Sequence, residues 1–214
     1  MKKIILAIII MLFPIQALAM SPQDLAAKLQ ESYDKTRDLK ADFAQTSIVK
    51  AMNMKKEGSG KLLIKKPGLL RYSYIKPEKQ ELIVKGDDLI MYMPSTNQVI
   101  KKKVERAVMD KTPTTFLAGM GRITDSFTVR FPKEGEKDKS GDYLLELVPK
   151  GNNMGVEKIG LELDPKTYNI VGFSFTETSG NVNSIRLSNI KINTGIKDSA
   201  FNFKIPNGAS LVGE

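Results

Sequence analysis

The sequence predicts a mainly β fold with a few helices. The expected form is one curved antiparallel sheet making an open half-barrel, with an N-terminal helix and a short lid helix over its concave face. Three observations predict it. Apolar residues alternate with polar ones in about ten short runs between Leu39 and Ile192. Short turns rich in Gly, Pro, Asn and Asp join those runs, whereas parallel crossovers need a dozen or more residues. Only two later segments carry helix signals, enough to cover one face of a sheet that curls.

The first nineteen residues read as an address outside this fold. Lys2 and Lys3 precede ten consecutive apolar residues, Ile4 to Phe13. Pro14 breaks the run, and Ala17-Leu18-Ala19 offers the small-x-small pattern of a signal peptidase site. Ten helical residues span about 15 Å, half a hydrocarbon core. The expectation is a cleaved secretory signal over 1–19 and one domain over 20–214. A lipoprotein signal needs a Cys at the cut, and the chain has none. The mature protein is expected in the periplasm, neither lipidated nor membrane-spanning.

Ser21-Pro22-Gln23-Asp24 is a helix start with a capping residue and a first-turn proline. Leu25, Leu29 and Tyr33 then recur every four residues, an amphipathic stripe to about Thr36. Leu39, Ala41 and Phe43 switch the period to two. Lys61 to Lys65 is a short apolar run closed by Lys66-Pro67-Gly68. Leu70, Tyr72 and Tyr74 alternate with Arg71 and Ser73. Gln80 to Val84 and Leu89 to Met93 form a hairpin about Gly86-Asp87, and Val99 to Val104 leaves on another strand. Thr112-Pro113 starts the second, very short helix, carrying Phe116 and Leu117. From Phe127 onward strands recur to Ile192 around turns at Asp164-Pro165 and Ser179-Gly180.

Composition excludes most catalysis. The 214 residues include no Cys, His or Trp. That removes Ser-His-Asp and Cys-His nucleophiles, the common zinc and copper ligand sets, and disulfides. Asp87-Asp88 sits at a hairpin tip, and Glu134 to Asp138 is a mixed-charge loop. Neither has the apolar surroundings that raise a carboxyl pKa. No Asp-x-Asp-x-Asp-Gly calcium loop is present. The expectation is a binding protein with no cofactor and no metal. The chain is basic, with net charge +9. A basic exported protein could dock on anionic headgroups or an acidic partner, but dispersed lysines read as solvated strand faces and edge protection. Nucleic acid does not fit, for want of interleaved aromatics. Met91 and Met93 share one face of a strand, as do Met52 and Met54 of another segment. Flexible thioethers suit irregular apolar ligands and also fill gaps in ordinary cores.

Leu39-Lys40-Ala41-Asp42-Phe43-Ala44-Gln45, Gly58 through Tyr72, the Leu82 to Tyr92 hairpin, and Phe201-Asn202-Phe203-Lys204-Ile205-Pro206-Asn207-Gly208 occur in an order that resembles the outer-membrane lipoprotein carrier family, the LolA/LolB-like group. The resemblance implies an open barrel whose cavity holds the acyl chains of lipoprotein cargo. It implies a monomeric chaperone that receives cargo from an inner-membrane ABC-type lipoprotein-releasing transporter and passes it to an outer-membrane receptor. The missing Cys points to the soluble carrier branch. The resemblance places Leu29, Phe43, Leu70, Tyr72, Tyr74, Met91, Met93, Phe116 and Leu117 at the cavity, and Pro113 with Lys66 at the lid. The family's usual arginine is replaced by Lys66, which lacks the guanidinium fork. Two other readings stay open: a carrier of another lipid or glycolipid, and a regulatory lipid- or peptide-sensing module.

Overall fold

The computed structural model describes residues 20–103, 122–151 and 155–212. Ser21 caps the first helix, α1 (Pro22–Lys35): its hydroxyl accepts from the Asp24 N–H at 3.1 Å, and its own N–H donates to the Asp24 carboxylate at 3.2 Å. Leu25, Ala26 and Leu29 form the buried stripe. Six strands follow: β1 (Asp38–Val49), β2 (Met54–Lys65), β3 (Leu69–Lys76), β4 (Gln80–Lys85), β5 (Asp88–Met93) and β6 (Gln98–Lys103). A single helical turn, α2 (Ile123–Ser126), leads into β7 (Phe127–Arg130), β8 (Tyr143–Pro149), β9 (Val156–Leu163), β10 (Ile170–Glu177) and β11 (Val182–Ile192). A 3₁₀ turn over Asp198–Phe201 precedes β12 (Ser210–Val212). Pro113, Phe116 and Leu117 lie outside the described residues, and with them the expected lid helix.

The twelve strands of the described residues form one open, curved sheet in the order β12-β6-β5-β4-β3-β2-β1-β11-β10-β9-β8-β7. Two hairpin meanders, β1 to β6 and β7 to β11, join where β1 pairs with β11. Register fixes which residues share the concave face. Leu62 lies opposite Ala41 and Tyr72, Tyr72 opposite Leu82, and Leu82 opposite Met91. In the other half, Ile185, Phe173, Leu161 and Leu145 continue in the same way. All of these but Met91 make one apolar cluster with the α1 stripe. Gly60 is required by it: a Cβ there would stand 2.9 Å from the Phe43 ring and 2.1 Å from the Ser73 carbonyl.

The convex face differs between the two meanders. Over β8 to β11 it is charged: Arg186 donates to Asp142 at 2.6 Å and also pairs with Glu162, while Glu146 holds Lys158 and Arg130. Over β3 to β6 it is covered by the chain's own C-terminal segment. Lys65 donates to the Ile196 carbonyl at 2.7 Å, Arg71 to that of Ala200 at 2.9 Å, and Lys85 to Asn202 at 2.6 Å. Phe201 is buried over β3 and β4, and Phe203 meets Tyr92 at 5.5 Å between centroids. This crossing explains the one parallel pairing among the described strands. After passing beneath the sheet, the chain returns alongside β6 and pairs with it in parallel as β12.

Asp38 anchors that crossing. Its carboxylate is 4% exposed and accepts from the Thr194 N–H at 2.8 Å, the Thr194 hydroxyl at 3.1 Å and the Gly195 N–H at 3.0 Å. Burial alone would raise its pKa, but those hydrogen bonds outweigh it and hold the acid below its ordinary value. A depressed acid contributes stability that is present above the unfolded pKa and lost as pH falls through the folded one. Asp38→Ala is expected to cost about 3 kcal/mol in urea denaturation at neutral pH. The gap to wild type should close in acid, below about pH 4.

Candidate functional site

Among the described residues, seven of those that the sequence singled out lie on or against the concave face. Leu29, Phe43, Leu70 and Tyr72 are buried there, and Tyr74, Met91 and Met93 are half-buried. Phe43 sits at the centre, edge-on to Tyr72 at 5.2 Å and to Tyr74 at 4.9 Å. The Tyr74 hydroxyl donates to Gln45 Oε1 at 2.7 Å. Burial raises the Tyr72 phenol well above the ordinary tyrosine range, so the hydroxyl is neutral at any physiological pH. Leu82, Leu89 and Ile100 belong to the same surface by register. They were missed as site residues although Leu82 and Val84 keep period two with Gln80.

The β7 to β11 half of this face is filled by α1. The helix packs on β7, β8 and α2, and the Ile123 N–H donates to Gln30 Oε1 at 3.0 Å. Ser32 donates to Asn169 at 2.6 Å, and the Lys28 ammonium lies 4.9 Å from the Tyr168 ring centroid. Between the C-terminal half of α1 and the sheet lies a cavity of about 40 Å³, lined by Leu29, Tyr33, Leu39, Ile64, Ile170 and Leu187 among others. Ligand pockets run to roughly 300–1,000 Å³, so this space takes a few waters and no acyl chain while α1 is seated.

Lys66 closes one end of that cavity. It follows β2 in the turn to β3, where its backbone N–H donates to the Arg37 carbonyl at 2.9 Å. Its ammonium donates to the Tyr33 carbonyl in the last turn of α1 and lies over the Tyr33 ring. The last carbonyls of a helix lack intrahelical partners and carry the negative end of the dipole, so a cation there is favourable. Asn193 stitches the same junction: its side chain accepts from the Arg37 N–H at 2.7 Å and donates to the Lys35 carbonyl at 3.0 Å. Among the described residues, the partner of the Lys66 side chain is thus α1. Tyr33 continued the stripe seen in the sequence, but its carbonyl left no sequence signal.

The family of outer membrane lipoprotein carrier protein LolA matches residues 34–204. The chain belongs to the LolA family. An outer-membrane lipoprotein carrier protein of Methylococcus capsulatus is 28% identical over 187 residues, covering 86% of both chains. One of Actinobacillus succinogenes is 30% identical over 188 residues, covering 88% of this chain and 85% of the relative. An uncharacterized conserved protein from Thermus thermophilus has the same fold, with a TM-score of 0.56 at 14% identity, covering 90% of this chain and 98% of that one. Among the described residues of this LolA-family chain, no helix is long and apolar enough to cross a membrane, and no cluster of acidic side chains could hold a metal.

Burial lowers the Lys66 amine to about 8, with Asp34 pulling the other way. Between about 8 and its ordinary 10.5 the unfolded chain binds that proton more tightly than the folded one. Its contribution to stability therefore rises with pH across that window. An NMR titration of the Lys66 amine should show a midpoint near 8. Stability of wild type relative to Lys66→Met should increase from about pH 8 to about pH 10. A midpoint at the ordinary lysine value and a flat difference would contradict the burial.

Proposed function

We propose that this chain is a soluble periplasmic carrier that takes the acyl chains of lipoproteins on its concave face and delivers them to an outer-membrane acceptor, performing no chemistry on them. The reading rests on one observation above the others. The α1 stripe of Leu25 and Leu29 belongs to the same apolar cluster as Phe43, Leu62 and Tyr72, and the cavity between α1 and the sheet, lined by Leu39 and Ile64 from one half and Ile170 and Leu187 from the other, is about 40 Å³. An apolar surface with its own cover occupying it is suited to a guest that displaces the cover. The names of the curated relatives supply the class of guest, lipoproteins. On this reading the chain receives cargo from an inner-membrane releasing transporter and acts as a monomer.

The helix α1 competes with cargo for the same face. Each contact that holds it down weakens cargo binding and favours release, since a ligand shifts an equilibrium only by its differential affinity. Lys66 is a charged hold on the last turn of α1, through its bond to the Tyr33 carbonyl and its position over the ring. A charge-assisted hydrogen bond contributes about 1.5–3 kcal/mol, and about 1.4 kcal/mol is tenfold in affinity. Lys66→Leu should accept lipoprotein but transfer it to purified receptor about tenfold more slowly. Lys66→Arg keeps the cation and should transfer as wild type does. Equal rates for Lys66→Leu and wild type would remove the release role. Native mass spectrometry showing a bound free lipid in place of a triacylated protein would overturn the choice of cargo.

A further inference from the structure

The end of the β1–β2 hairpin is unlike the rest of the surface. Ile48 is 43% exposed, Met52 70% and Met54 40%. The three cluster at one point, where the chain passes from β1 through a 3₁₀ turn over Lys50–Met52 into β2. This point projects beyond its neighbour on one side, because β2 pairs with β3 only as far as Ser59 opposite Lys76. Met54 lies opposite Val49, and Ile48 opposite Lys55, so apolar side chains reach the tip from both faces of the ribbon. Five exposed lysines lie on the hairpin and beside its base: Lys50, Lys55 and Lys56 on the hairpin, Lys76 at the end of β3 and Lys79 in the β3–β4 turn. Three carboxylates stand among them. Glu57 pairs with Lys55 at 2.6 Å, Glu78 lines the groove beside Lys56, and Glu177 accepts from Asn181 at 2.9 Å in the β10–β11 turn.

We propose that this tip is a membrane-docking element, with Met52 entering the interface of an anionic bilayer and the lysines meeting its headgroup phosphates. Exposed thioethers flanked by ammonium groups have the composition of an interfacial anchor. A projecting point offers a protein partner far less than the ~800 Å² per side of a stable interface. A bilayer accepts such a point at whatever depth its apolar side chains allow. Each lysine near an anionic surface contributes about 1 kcal/mol, which is roughly fivefold in affinity. A few partly exposed apolar side chains add enough for contact and too little for permanent residence, which suits a protein that must leave again. Lys66 stands just past the opposite end of β2, ~40 Å of strand away at the usual rise per residue, so docking leaves the α1 junction clear. The inference does not rest on acyl-chain carriage, since it concerns a different surface and a different ligand.

The chain contains no Trp, so Met52→Trp places a single reporter at the tip. Full-length mature protein carrying Met52→Trp is mixed with phosphatidylethanolamine–phosphatidylglycerol vesicles, and separately with phosphatidylcholine vesicles. The expected result is a blue-shifted emission and co-sedimentation with the anionic vesicles only, both reversed by high salt. Ile205→Trp, on the exposed C-terminal segment, should show no shift. Lys55→Glu with Lys56→Glu should lower the vesicle affinity at least ~25-fold. Met52→Asp alone, at a site too exposed to affect folding, should lower it several-fold with an unchanged melting temperature. Equal association with neutral vesicles, no association, or binding unaffected by the tip variants would each overturn the proposal. Tip variants that slow lipoprotein transfer while vesicle binding stays as in wild type would assign the tip to a protein partner and overturn it too.

Discussion

β1 and β11 meet from Leu39 opposite Ile192 to Ile48 opposite Val182, across nearly the whole length of the chain. Each meander on its own is a set of local hairpins with one apolar face and nothing to bury it against. Their pairing makes a single wide sheet, and a sheet of twelve strands twists and curls enough to enclose its own apolar face in part. Asp38, at the start of β1, accepts hydrogen bonds from the segment just past β11, so the seam is locked at one end by a buried carboxylate. The pairing is also distant in sequence, which makes it the slow step expected in assembling such a topology.

That seam decides where a guest could go. With β1 central, Phe43 and its partners Tyr72 and Tyr74 lie at the middle of the concave face, flanked by the two meanders. The α1 stripe fills the β7 to β11 side, and Lys66 and Asn193 hold the C-terminal end of α1 at the rim. The opposite face carries the C-terminal segment over β3 to β6 and the Arg186 and Glu146 charge networks over β8 to β11. On the proposed reading, binding reduces to a competition between α1 and cargo on one surface.

Much of this was legible in the sequence because period and turn chemistry agree. Ser21 to Asp24 marked the start of α1, and Leu70-Tyr72-Tyr74 showed their face directly by alternating with Arg71 and Ser73. The strand at Leu89 to Met93 did not, because Ile90 and Tyr92 on the other side are apolar as well. The reason is physical: Tyr92 is covered by Phe203 from the crossing C-terminal segment, so β5 is sandwiched and loses its alternation. Leu82-Ile83-Val84 carried the same signature, a continuous apolar run in a strand with both faces covered. The parallel β12 was hidden for a related reason, since nothing local to Ser210–Val212 says that the chain has passed beneath the sheet. By its neighbours alone Lys66 is a turn lysine, and only the resemblance placed it at the lid; its hold on α1 depends on a backbone carbonyl thirty-three residues earlier.

The competition between α1 and cargo can be tested by preventing it. The chain has no cysteine, so Ser32→Cys with Asn169→Cys, at side chains that touch in the native fold, provides the only two thiols. A short reducible cross-link between them holds α1 on the sheet. The account predicts that the cross-linked carrier takes up no lipoprotein and that reduction restores uptake to the level of the unlinked protein. Full uptake by the cross-linked form would show that cargo enters without displacing α1, and would contradict the account.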